Sequence, residues 1–269
     1  MKPLDVINSV DFGYRLVWAE RKYLVQLAMV PMAIKLLTLG LILVLGWNEQ
    51  ALRSVIISIP SFLATGWMLS HLSRLVFYGQ RWPFRPSGDA AKDGIALQER
   101  AYGISAGTLF FTLAVYLFMA PHGIILALVP PEAIEQMEKT GQSPIEPSVF
   151  SNFAALVILI LSLWLIRFIA LFIPAAAGLS VRPIVRARQG MLLSLQVLGT
   201  GLVSFVPIII LSSFLFAVVS SMFINGNPVS PGTVLLGKVW LVPTVTAAQL
   251  IATASLAFGI KVMMEERKA

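Results

Sequence analysis

Long apolar runs dominate the chain, at about residues 24–47, 55–78, 104–128, 153–176, 192–220 and 234–262, with polar links between them. Each is at least as long as the roughly 20 helical residues that cross a hydrocarbon core. None has the strict alternation of a barrel strand, and in lipid a segment must satisfy its own backbone groups, so the runs predict helices. The expected fold is therefore all-α: one membrane domain over 1–269, a polytopic bundle of six transmembrane helices.

Ahead of the first run the pattern changes. Leu4, Ile7, Val10, Tyr14 and Val17 with Trp18 recur at helical spacing, while Asp5, Asn8, Asp11, Arg15 and Glu20 fall elsewhere. Residues 1–23 thus predict an amphipathic helix lying in the membrane surface; the alternative is a mobile tail. The first run follows this polar leader and is too long for the apolar core of a signal peptide, so it reads as a retained span.

Charge orders the links. Lys2, Arg15, Arg21 and Lys22, then Arg81, Arg85, Lys92 and Arg100, then Arg182, Arg186 and Arg188, then Lys261, Arg267 and Lys268 fall on one side of a six-crossing chain. The other side carries Arg53, then Lys139 among Glu132, Glu135, Glu138 and Glu146, then the uncharged link 225–232. By the positive-inside rule both termini are cytoplasmic. The expected location is a plasma membrane, a bacterial inner membrane, with anionic lipid headgroups against the basic face. Composition agrees: 57% of residues are hydrophobic and 12% charged, too apolar for a soluble core of this length. The net charge of +7 sits in short links, which points to topology and headgroups and away from nucleic acid. The longest inner link, 79–100, contains Pro83, Pro86 and Gly88 and reads as an exposed loop.

Polar groups at membrane depth are the usual pointers to function. No Asp or Glu falls inside a predicted span; the cations there are Lys35, Arg74, Arg167 and Lys238. Arg74 and Lys238 sit near span ends and are expected to reach the interface. Arg167 lies about 10–15 Å inside the inner end of its span, where it either reaches the interface or binds a phosphate. Lys35 is deepest; its candidate acceptors are carbonyls freed by Pro31, the amide of Gln249, or an entering lipid or anion. Lys35, Arg74 and Arg167 are accordingly the candidate anion or lipid contacts. Each run also holds a proline (Pro31, Pro60, Pro121, Pro174, Pro207, Pro243), which predicts kinks or breaks. Gly199 with Gly201, and Ala247, Ala248, Ala252 and Ala254, offer small faces for close packing.

Catalytic and cofactor chemistry finds no motif. The chain has no cysteine, and its two histidines, His71 and His122, are placed roughly 20 Å apart along the membrane normal, too far to ligate one iron. No phosphate loop, dinucleotide fingerprint, nucleophile elbow or H-E-x-x-H run occurs. The chain is thus read as a non-enzyme with no cofactor and no metal.

The stretch Trp164-Leu-Ile-Arg167-Phe-Ile-Ala-Leu-Phe-Ile-Pro174, followed by a basic link and a span beginning near Leu192, resembles bacterial six-helix inner-membrane proteins of the YciC type. It also resembles the membrane domain preceding some glycerophosphodiester phosphodiesterases. In that group an arginine and a proline sit late in a span before a basic amphipathic link. The segment 11–23 resembles that link, with Arg15 and Arg21 spaced as Arg182 and Arg188 are. The chain departs from the group in lacking the Ser-Trp and Thr-Arg-Gly signature in the link. The resemblance implies a membrane protein without a defined role. Short links, the lack of a catalytic constellation and the basic inner surface favour a protein that assists or organises a membrane complex or the envelope, with a membrane-protein partner. The alternative is a transporter or channel for an anionic or lipid-like substrate.

Overall fold

The computed structural model describes residues 4–46, 51–128, 160, 162–186, 190–223 and 231–265. Among them every regular element is helical. In chain order these are α1 (Val6–Ala19), α2 (Arg21–Val44), α3 (Ala51–Ile57), α4 (Ile59–Tyr78), α5 (Ala90–Leu128), α6 (Ser162–Ala176), α7 (Arg182–Val185), α8 (Gly190–Phe223) and α9 (Pro231–Glu265). Among the described residues four segments are long and apolar enough to cross a membrane: Arg21–Val44, Ala90–Phe118, Gly190–Ser221 and Gly232–Glu265. Their outward faces carry large exposed apolar side chains, including Leu37, Leu113, Ile210, Phe214 and Leu241. A continuous apolar exterior of this kind calls for a non-aqueous solvent.

The two remaining expected spans differ for identifiable reasons. α4 is 20 residues long but carries Ser61, Thr65, Ser70, His71, Ser73 and Arg74, all buried. It is the central helix, touching α2, α5, α6 and α9. Its polarity faces protein, and Thr65 and Ser73 bond back to the carbonyls of Ser61 and Leu69. α6 is the described remainder of the run expected at 153–176; residues 153–159 and 161 lie outside the described set.

One local expectation needs correction. The link expected as a loop over 79–100 is a loop only to Asp89; α5 starts at Ala90. Asp89 opens that helix by accepting from the amides of Ala91 and Lys92. Asp93 ties the loop to it by binding the amides of Ser87 and Gly88. At Pro60, by contrast, the expected break is present, between α3 and α4. That break falls at Ser58, and Pro60 sits in the first turn of α4, where a missing N–H is harmless. Pro31, Pro207 and Pro243 do lie inside α2, α8 and α9.

α1 is helical as expected, with Asp5 as N-cap to the Asn8 amide. It is packed chiefly on α9, with further contact to α8. Leu4 N–H donates to Gln196 Oε1 at 3.1 Å and Tyr14 O–H to the Ser204 carbonyl at 3.0 Å. The ten positions from Leu4 to Tyr14 thus match the eight from Gln196 to Ser204, about 12 Å of rise on α8, so α1 runs alongside α8. Close approach to α9 depends on Gly13 and Gly259: a Cβ at Gly13 would overlap Ser255 Oγ, and one at Gly259 would lie 2.7 Å from Ser9 Oγ. Phe12 stacks on Phe258 at 4.1 Å beside this seam.

Candidate functional site

The basic ends of the helices converge. Lys261 on α9 donates to the Val76 carbonyl on α4, and Arg74 on α4 to the Ala176 carbonyl on α6. Near this end α4, α5 and the α6–α7 turn enclose an open groove of about 720 Å³. Its walls include Arg74, Gln80, Tyr102, Phe110, Ser180 and Arg182.

Arg74 is 5% exposed and so does not reach outward as expected from its position near a span end. It turns into the protein, donating from Nε to Gln80 Oε1 and from Nη1 to the Ala176 carbonyl, both at 3.0 Å. The Tyr78 ring lies 5.4 Å from its guanidinium carbon. Gly103 permits this geometry, because a Cβ there would lie 2.7 Å from Arg74 Nη1 and 2.6 Å from the Ala176 carbonyl oxygen. Two of the five N–H groups are used in these bonds, and Arg74 lines the groove. Arg182 lines the same groove at the start of α7 and is exposed. Glu99 contributes the one carboxylate among the lining residues, so the lining carries two cations against one anion.

The groove is graded along its length. Arg74 lies level with Gly103, and Phe110 lies seven residues further along α5, a rise of about 10 Å. A charged end therefore opens onto an apolar trough formed by Ala106, Phe110 and Ala175. That is the polarity profile of an anionic amphiphile, a phosphate-sized head with an acyl tail.

Lys35 is elsewhere and is occupied. Its Nζ donates to Gln249 Oε1 at 3.0 Å and Thr246 Oγ1 at 3.2 Å, both on α9. Gln249 was one of its three candidate acceptors, and the contact closes α2 onto α9. Arg167 is 4% exposed, with its guanidinium carbon 4.4 Å from the Trp164 ring and 5.0 Å from Phe168. It does not join the groove; Ile166–Leu171 is 3-10 helix, which stacks Trp164, Arg167 and Ala170 on one side. Lys238 is half-buried on α9.

His71 is buried, with Trp67 edge-on at 4.7 Å and Trp82 at 6.5 Å, and its Nδ1 has no hydrogen-bond partner. The side chain of His122, the second histidine, lies outside the described residues. Among the described residues no group of three His, Asp or Glu side chains could hold a metal.

Sequence reasoning named Arg74 but not Gln80, Tyr102, Ser180 or Arg182 as its companions. Arg182 entered only as a charge of its basic link, and no spacing rule links residues from α4, α5 and α7. No protein-family model, curated protein or solved structure matches the chain.

Proposed function

We propose that the chain is a non-enzymatic membrane protein of six crossings, both termini cytoplasmic, in a plasma membrane of the bacterial inner-membrane kind. On this reading it holds one anionic phospholipid in the groove between α4, α5 and the α6–α7 turn. The lipid forms part of the surface by which the protein organises a membrane complex or the envelope. One observation carries the reading: buried Arg74 and exposed Arg182 flank a cavity whose other end is apolar. An open groove with an apolar end suits a lipid that enters from the bilayer. α1 belongs to this bundle as a packed helix, with Trp18 exposed and Arg21 set against its ring at 5.0 Å, a pairing suited to the headgroup level.

Transport built on Lys35 loses its main support, because the ammonium is bonded to Gln249 and Thr246. The test is binding of a fluorescent short-chain anionic phospholipid to the full chain in phosphatidylcholine nanodiscs. Arg182→Gln removes one headgroup cation from an exposed site and is expected to weaken binding about fivefold, from about 1 kcal/mol per basic residue near the surface. Equal affinity for the anionic and the zwitterionic probe would remove the proposal.

A further inference from the structure

A carboxylate stands in the groove beyond its buried cation. The residues of α5 that line the groove are Glu99, Tyr102, Ala106 and Phe110, three, four and four positions apart, which is one stripe of a helix. From the apolar end, Phe110 comes first, and the level of Gly103 and Arg74 follows about 10 Å on. Glu99 lies four residues further toward the start of α5, another rise of about 6 Å. The order along the groove is therefore apolar trough, cation, carboxylate.

Both charged groups keep bonding capacity. Arg74 is fixed through Nε and Nη1 by Gln80 and the Ala176 carbonyl, and among the described residues nothing accepts from its Nη2. Glu99 is exposed, and among the described residues it forms no ion pair or hydrogen bond, although its charge acts on Arg74 through space. The lining as a whole carries two cations, Arg74 and Arg182, against this one carboxylate. A matching headgroup thus carries a single negative charge at the cations and a hydrogen-bond donor beyond it. A phosphate monoester would bring a second negative charge toward Glu99. A choline headgroup has no N–H or O–H to give a carboxylate. An ethanolamine headgroup has donors but leaves the excess cation uncompensated. A phosphodiester carrying glycerol meets both conditions.

We propose that Glu99 selects the headgroup in this groove, accepting hydrogen bonds from the terminal hydroxyls of a phosphatidylglycerol-type lipid whose phosphate lies at Arg74 and Arg182. The inference rests on the groove being an anionic-lipid site, as proposed above. Hydrogen bonds to an ionised acceptor are stronger than neutral ones. Water reaches an exposed carboxylate and replaces a missing hydroxyl, so the discrimination is modest.

The experiment uses the full chain in phosphatidylcholine nanodiscs at constant ionic strength. Two fluorescent short-chain probes with the same acyl chains are compared, phosphatidylglycerol and phosphatidylmethanol. Both are phosphodiesters of one negative charge, and only the first carries headgroup hydroxyls. The wild type is expected to bind phosphatidylglycerol about fivefold more tightly, the scale of one net hydrogen bond. Glu99→Ala is expected to abolish that preference, both by losing the acceptor and by strengthening phosphatidylmethanol binding as a like charge leaves. Arg182→Gln should weaken both probes to a similar extent and keep their ratio. Equal wild-type affinity for the two probes, each above that for a zwitterionic probe, overturns the role of Glu99 and leaves the lipid site standing. A preference that survives Glu99→Ala also overturns it. Binding of neither probe above the zwitterionic one removes the lipid site itself, and the inference with it.

Discussion

Gly13→Ala tests how α1 is held. An added Cβ would overlap Ser255 Oγ and lie 2.9 Å from the Ile251 carbonyl oxygen and 3.0 Å from Ser255 N–H nitrogen. A side-chain oxygen can rotate away, although Ser255 Oγ would give up its bond to the Ile251 carbonyl at 2.8 Å. Backbone atoms cannot, so α1 and α9 must separate. Overpacking of this kind costs about 1–3 kcal/mol. Replacing a helical glycine by alanine also returns about 1 kcal/mol of helix propensity, so the single variant alone is ambiguous. Gly201→Ala on α8 supplies the reference: its Cβ would meet nothing within 4 Å, and it receives the same propensity gain. The contrast between the two variants is therefore about 1–3 kcal/mol, or a difference in melting midpoint of about 3–10 °C. Midpoints would be read by tryptophan fluorescence in one detergent. Ser255→Ala added to Gly13→Ala should recover only part of the loss, since the Ile251 carbonyl stays in place. Equal midpoints for Gly13→Ala and Gly201→Ala would refute the packing argument and return α1 to the surface of the membrane.

Other predictions concern the charges and the buried histidine. Lys35→Met should leave anionic-lipid binding unchanged in the nanodisc assay, since its partners are Gln249 and Thr246; lost binding would make it a ligand contact. His71→Phe should hold or raise the melting midpoint, because an apolar ring of similar shape replaces a buried nitrogen with no partner; a clear fall would reveal a bonded Nδ1. The Asp89 carboxyl is held below its usual range by the Lys92 side chain first, then by the amides of Lys92 and Ala91. A depressed folded-state pKa gives stability that is present above the unfolded value, about 3.9, and lost as pH falls below it. Amide exchange in the first turn of α5 should accordingly quicken on acidification below about pH 4, and Asp89→Asn should flatten that response; an unchanged acid profile in the variant would contradict it.

The apolar runs were legible because lipid imposes a length and a composition that no local detail can hide. Gln249 stood among three candidate acceptors for Lys35 because few polar groups fall in the apolar runs, whereas Thr246 was not named. α4 was harder, since its polar residues lower its apolarity while being buried by neighbours far away in sequence. The start of α5 at Ala90 was missed because a helix continuing past the membrane has no apolar run to mark it. The glycines that set the packing are Gly13, Gly66, Gly103, Gly107, Gly190 and Gly259, whereas Gly201 meets open space. Close approach is a property of pairs of helices, and one chain read in order does not show which faces meet. Arg74 was expected to reach outward; the Ala176 carbonyl and Gln80 drew it inward.

The most direct test of the central claim is native mass spectrometry of the gently purified full chain offered equal amounts of an anionic and a zwitterionic phospholipid. The account predicts one retained anionic lipid on the wild type, reduced in Arg182→Gln and unaffected by Lys35→Met. Retention of either lipid without preference, or a bound anionic lipid indifferent to Arg182, would contradict it.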